Sequence, residues 1–125
     1  MSEIVWLMRE TIDAVHDMQL AEHGGLAGVR DEGLLESALA RPGHLHDYAN
    51  ADIHAMAAAY AFGIARNHPY LDGNKRTAFL AMYIFLRLNR VELQASEISA
   101  TRTMLALAAG AISEDDFAGW LRDNS

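Results

Sequence analysis

His68-Pro69-Tyr70-Leu71-Asp72-Gly73-Asn74-Lys75-Arg76 runs directly into Thr77-Ala78-Phe79-Leu80-Ala81-Met82-Tyr83-Ile84-Phe85-Leu86. Pro69 and Gly73 break any regular element before Asn74, and the nine residues Ala78–Leu86 are all apolar. A membrane span takes about 20 such residues, so this run is too short to be one. The pattern predicts a helix over about Asn74–Asn89, apolar on almost every side, and helices of that kind sit at the centre of a bundle.

The flanking sequence reads as further helices to wrap around it. Met8, Ile12, Val15 and Leu20 keep near the three-and-four rhythm of one helical face, and Gly24-Gly25 supplies the positive φ angles of a helix end. Asp31 can cap a second helix, Glu32–Ala40, closed by Arg41-Pro42-Gly43. His44–Ala51 has no period and is expected to form an exposed loop or short irregular hairpin. Asp52 precedes a third helical face made by Ile53, Met56, Ala57, Tyr60 and Ile64. Ser96 or Ser99 can start another helix that ends at Gly110, and Ser113 with Glu114-Asp115-Asp116 starts the last, its acids suited to the helix dipole. The expectation is one all-α domain over residues 1–125, a compact bundle of about six helices without repeats or linkers.

Composition narrows the function classes. The 125 residues carry 17 acidic and 10 basic side chains, a net charge of −7, and no cysteine. Disulfides, thiolate–metal sites and cysteine nucleophiles are therefore excluded. No basic patch suited to nucleic acid is visible. Met1–Glu3 carries no positive charge before the short apolar run Ile4–Met8, so a secretory signal is not expected and a cytoplasmic location is. Lys75 is the one lysine among the 10 basic residues, which singles out its site.

Residues 68–76 carry the chemistry. The first N–H groups of a helix have no partners within it, and the dipole adds positive potential there. Gly73 and Asn74 stand where the apolar helix begins, and Lys75 and Arg76 add two full charges, which together make an anion site. Asp72 is a single carboxylate among these cations, the donor that a Mg²⁺–phosphate complex commonly uses. His68 has a side chain able to take a proton near neutral pH. A base, a carboxylate and a phosphate cradle suggest transfer of a phosphorus group to a hydroxyl. The plainer alternative makes Asp72 an N-cap in an ordinary turn, with Lys75 and Arg76 solvated. Bare cations are disfavoured at a helix N-terminus, however, so a bound anion or local compensation is implied.

The nine residues resemble the signature of the Fic/Doc family, His-Pro-Phe-x-Asp/Glu-Gly-Asn-Gly-Arg, and in particular its Doc (death on curing) branch. Gly24-Gly25-Leu26, Arg30-Asp31-Glu32-Gly33-Leu34-Leu35 and Ala40-Arg41-Pro42 look like Doc-type segments as well, so the likeness extends from about Trp6 to Leu121. It implies a helical Fic fold with the motif as a catalytic loop and helix start. His68 then matches the base that deprotonates a target hydroxyl, Asp72 the Mg²⁺ ligand, and Gly73, Asn74 and Arg76 the groups that hold nucleotide phosphates. Tyr70 replaces the phenylalanine that anchors the loop, an exchange that keeps the anchor where the hydroxyl finds a partner. By position, the segment with His44, His46 and Tyr48 corresponds to the family's flap over the target.

Two departures bear on the reaction. Lys75 stands at the second glycine and Phe79 at the second arginine, positions that AMP-transferring Fic enzymes use at the nucleotide. Doc-type toxins share both departures and, by resemblance, move the γ-phosphate of Mg²⁺–ATP to a threonine of elongation factor Tu, which halts translation. Lys75 then joins His68, Asp72, Asn74 and Arg76 as a catalytic group. Gly73 keeps the AMP-transferring pattern, so an AMP or nucleotide transferase on the same residues is the second reading. A module that only binds a nucleotide or acidic peptide is the third. The family's internal inhibitory motif, Ser/Thr-x-x-x-Glu-Gly/Asn, does not occur, and the resemblance implies restraint by an antitoxin whose C-terminal segment folds onto the toxin. Neither nucleic acid nor a membrane is an expected partner.

Of the remaining candidates, His16 and His54 are expected to be structural and Met56, Met82 and Met104 to fill the core. His44-x-His46 could ligate a metal but reads better as loop. Asp115-Asp116 reads as a helix start, and Trp6 and Trp120 as packing for the terminal helices.

Overall fold

Local signals set most of the helix boundaries. The computed structural model describes residues 3–125, so the part of the charge reading that falls on Met1–Ser2 lies outside the described residues. The helices are α1 (Arg9–His23), α2 (Glu32–Ala49), α3 (Ile53–Asn67), α4 (Asn74–Leu88), α5 (Glu97–Ala109) and α6 (Glu114–Asp123). The side chain of Asp31 accepts the Leu34 N–H at 3.0 Å, that of Asp52 the Ala55 N–H at 2.8 Å, and that of Ser96 the Ser99 N–H at 3.1 Å. Ser113 and Asp116 close a reciprocal capping box at α6, so Asp116 serves the helix start as expected. Among the described residues no strand forms, and one isolated antiparallel bridge joins Val29 to Tyr70.

α3 and α4 share the centre. α3 packs against α2, α4, α5 and α6, and its alanines at 57, 58, 59, 61 and 65 are all buried, which lets its neighbours approach closely. α4 buries Ala78, Ala81, Met82, Phe85 and Leu86 and leaves Phe79, Leu80, Tyr83 and Ile84 partly covered. Met56, Met82 and Met104 lie in the core as expected. Trp120 packs near Phe117, while Trp6 stays 38% exposed with its ring centroid 6.1 Å from that of Phe85.

Two expectations need correction. α2 does not stop at Ala40 but runs on through Pro42 to Ala49, so His44, His46 and Tyr48 lie on its last turns and not in a loop. A proline inside a helix removes one N–H bond and crowds the carbonyl four residues back. Here that carbonyl belongs to Ala38, and α2 is pressed onto α3 at this level: a Cβ on Gly63 would meet Ala38 Cα and Cβ at 3.1 Å. Leu35, Ala38 and Pro42 are buried in that contact, and their burial outweighs the local break. The first helix differs too. Met8 is its exposed N-cap residue, and the buried face is Ile12, Val15, His16 and Gln19, with Leu20 only half-buried.

Candidate active site

α3 ends on His68 itself, whose backbone is left-handed at φ 49° and ψ 54°. That conformation costs a non-glycine residue of order 1 kcal/mol. Arg30 holds the turn: its Nε donates to the His68 carbonyl and its Nη2 to the Asn67 carbonyl, both at 2.7 Å. The backbone N–H groups of Arg30 and Asp31 donate to the Pro69 carbonyl at 2.7 and 3.1 Å, and the Leu71 N–H to the Gly28 carbonyl at 3.0 Å. Residues 24–30 therefore lie directly alongside the motif. His68 keeps an exposed imidazole at the cleft.

Tyr70 is the anchor. It is 2% exposed, its ring stacks on His16 with centroids 3.7 Å apart and planes 9° from parallel, and its hydroxyl donates to Asp13 Oδ1 at 3.0 Å. The partner that the tyrosine exchange requires is thus present. Burial first, and then the bond to Asp13, push the Tyr70 phenol above its ordinary 10.0. Asp13 also accepts from Arg9 Nε at 2.9 Å, and Arg9 reaches on to Glu32 and Glu36 at the start of α2. These bonds, led by Glu32, hold the guanidinium far above the usual arginine range, so it stays charged. His16 Nε2 lies 2.8 Å from the Asp72 carbonyl, which makes it a hydrogen-bonded structural histidine as expected.

Beyond the anchor the chain enters α4. Asn74 differs from its expected role. Its Oδ1 accepts the Tyr70 N–H and its Nδ2 donates to the Tyr70 carbonyl, both at 2.9 Å. The buried amide thus closes the loop, and its contribution to an anion falls to its backbone N–H. Gly73, at φ 74°, is the N-cap residue and gives α4 no side-chain cap. Asp72 is exposed, with Oδ1 accepting the Gly73 N–H at 2.8 Å and Oδ2 3.4 Å from the Leu26 N–H. Lys75 and Arg76 are exposed and form no ion pair among the described residues. The uncapped helix start and both cations thus remain available to an anion.

His68, Asp72, Gly73, Asn74, Lys75 and Arg76 all line one cleft of about 950 Å³ between the motif, α1, α4 and α5. Phe79, at the position of the missing second arginine, lines it too. His44, His46 and Tyr48 do not. Their helix carries them elsewhere, with His46 set edge-on to Trp6, the ring centroids 5.7 Å apart. No group of three or more metal-ligating side chains occurs among the described residues, His44-x-His46 included. Asp72 offers a single carboxylate at the mouth of the cradle, which fits a divalent ion carried in on phosphates and water better than a dedicated cage. His54 lies near the start of α3, where burial lowers its pKa, away from this cleft.

An exposed imidazole sharing a cleft with an uncapped helix start and two cations that form no ion pair among the described residues suits transfer between a phosphate ester and a hydroxyl. The Fic/DOC family model matches residues 6–86. The chain belongs to the Fic/DOC family. It is 36% identical, over 114 residues and 90% of each chain, to the protein kinase doc of Escherichia phage P1. It is 46% identical over 74 residues, 58% of this chain and 57% of the other, to the toxin Doc of Mycolicibacterium smegmatis. The Fic fold expected from the motif is borne out, and residues 6–86 of the Fic/DOC match run from the segment before α1 into α4.

Four residues of this Fic/DOC site escaped the sequence reading: Asp13, Arg30, Gln19 and Arg9. Asp13 and Arg30 meet their motif partners across 57 and 38 residues of chain. The pairing of Arg9 with Asp13 had a local signal, because they stand four apart on one helix. Gln19 had none, and Arg30 stood in a Doc-type segment with nothing to mark it as a partner of Asn67 and His68.

Proposed function

We propose that this chain is a Doc-like toxin, a kinase that moves the γ-phosphate of ATP to a serine or threonine hydroxyl of a protein. The observation that carries the reading is the shared cleft: an exposed imidazole at residue 68 beside an uncapped helix start with two cations that form no ion pair among the described residues. The names of the phage and mycobacterial relatives support both words, kinase and toxin.

The chain's own groups divide the work as follows. His68 accepts the proton of the target hydroxyl, whose oxygen then bonds to the γ-phosphorus while the bond to the β-phosphate bridging oxygen breaks and ADP departs. Lys75, Arg76 and the N–H groups at the start of α4 hold the phosphates and stabilise charge in the transition state, the principal catalytic term in such transfers. Asp72 would hold Mg²⁺, which, when bound, neutralises phosphate charge. Arg30, Asn74 and Tyr70 keep the loop in place. On the resemblance, the target is elongation factor Tu and translation is what stops.

Restraint would come from an antitoxin. Met18, Leu71 and Leu105 are exposed apolar residues on the rim of the same cleft, 70, 51 and 48% exposed, and would receive the partner's C-terminal segment. No helix among the described residues is long and apolar enough to cross a membrane. AMP transfer is the second reading, favoured by Gly73, which keeps the motif pattern of the AMP-transferring enzymes.

A paired labelling assay separates the two. The protein and a His68→Ala variant are incubated with Mg²⁺, a bacterial extract and ATP labelled at the α or the γ phosphate. The expected result is protein label from γ alone. Loss of a general base should lower the rate by about 10²–10⁴-fold without lowering the melting temperature, since the imidazole is exposed. Label from α would make the chain an AMP transferase, and an unimpaired variant would remove His68 from the mechanism.

A further inference from the structure

Gln19 lies on the inner face of α1, 3% exposed, and neither Nε2 nor Oε1 of its amide has a hydrogen-bond partner among the described residues. Buried amides are nearly always paired, because a desolvated donor or acceptor left unmet lowers stability. The place of this one is specific. It lies against the face of Gly73 that a side chain would take, where a Cβ would come within 1.9 Å of Nε2 and 3.1 Å of Oε1. Gly73 is the N-cap residue of α4, and Gln19 lines the same cleft as His68, Lys75 and Arg76. An uncapped helix start and an unmet amide donor thus converge on one point from two helices.

We propose that Gln19 is a binding residue of the phosphate cradle, its Nε2 donating to a phosphoryl oxygen of the nucleotide seated at the start of α4. Glycine at 73 is then required for more than its positive φ, because any side chain there would fill the space occupied by the amide. The free protein carries the cost of an unmet amide, and the occupied site recovers it, so the residue couples stability to occupancy. This inference rests on the nucleotide reading above.

Gln19→Met tests it, since methionine keeps the length and apolar bulk of the side chain and removes both polar groups. Calorimetric titration with Mg²⁺–ATP should show binding about tenfold weaker than wild type, the loss expected of one hydrogen bond to a charged group. Without nucleotide, the variant should melt at the same temperature or higher. Wild-type affinity in the variant would overturn the inference. So would a clear fall in its melting temperature without nucleotide, which would mean that the amide is already bonded in the free protein. Failure of the wild type itself to bind Mg²⁺–ATP would instead defeat the nucleotide reading, and this inference with it.

Discussion

At Arg30 two hydrogen bonds decide where the imidazole of a neighbouring segment stands. Its bonds to the Asn67 and His68 carbonyls are exposed, so water can replace the donors, and their loss should cost stability no more than about 1 kcal/mol. The left-handed turn at His68 loses its clamp all the same. Arg30→Met is therefore expected to lower kcat by about 10–100-fold, the scale of small misplacements in an active site, while KM for ATP stays near wild type. A change in KM alone would remove Arg30 from the positioning of His68. Tyr70 shows a different effect. Removing its hydroxyl breaks the bond to Asp13, at a cost of about 1–2 kcal/mol, while Asp13 keeps Arg9 as partner. Below pH 10 the phenol is neutral in both folded and unfolded chains, and the bond contributes in full. Above pH 10.0 the unfolded chain ionises first while burial keeps the folded phenol neutral, so stability falls as pH climbs through the raised value. Phenylalanine cannot titrate. The gap in melting temperature between wild type and Tyr70→Phe should narrow above pH 10, and a constant gap would contradict the raised value.

Helix boundaries were legible where one side chain and its own helix suffice. Asp31, Asp52, Ser96 and Ser113 all cap as their residue types predict, because the acceptor and the N–H group it meets are three residues apart. Pro42 was misread because its local preference is opposed by a neighbour that lies far away in sequence. Gly63, across from it on α3, measures that contact. Alanine usually favours a helix over glycine by about 1 kcal/mol. At residue 63 the new Cβ would meet Ala38 backbone at 3.1 Å, which cannot rotate aside, and overpacking of this kind costs about 1–3 kcal/mol. Gly63→Ala should therefore destabilise on balance. Gly119, inside α6 with nothing within 4 Å of its Cβ position, should instead gain about 0.5–1 kcal/mol as alanine. Denaturant melts of the two variants check the opposite signs, and equal signs would contradict the close approach of α2 to α3.

Across the whole molecule, the motif of the site could be read while its supports could not. Residues 68–76 announce their chemistry by type and order. Asp13, His16, Gln19 and Arg30 reach them by folding, from α1 and from the segment that follows it. The assignment of His44, His46 and Tyr48 to a flap failed for the same reason: position along the chain stood in for position in space. The segment beside the motif is 24–30, and its backbone bonds to Pro69 and Leu71 give no sequence signal.

α1 supplies three of those supports, yet of its residues only Ile12 belongs to the main core cluster. Helices so lightly held open before the rest of a protein does. When α1 lifts away, Tyr70 loses its hydroxyl partner and Asp72 its carbonyl contact, and the motif is released while α3, α4 and α6 remain packed. Hydrogen exchange should then show the amides of Val15–Gln19 and of Tyr70 opening together, earlier than those of Ala57–Ala61. On heating, catalysis should fail at a lower temperature than the helical circular-dichroism signal. The protein would lose its toxicity while still folded, and would recover it on cooling without having to fold again.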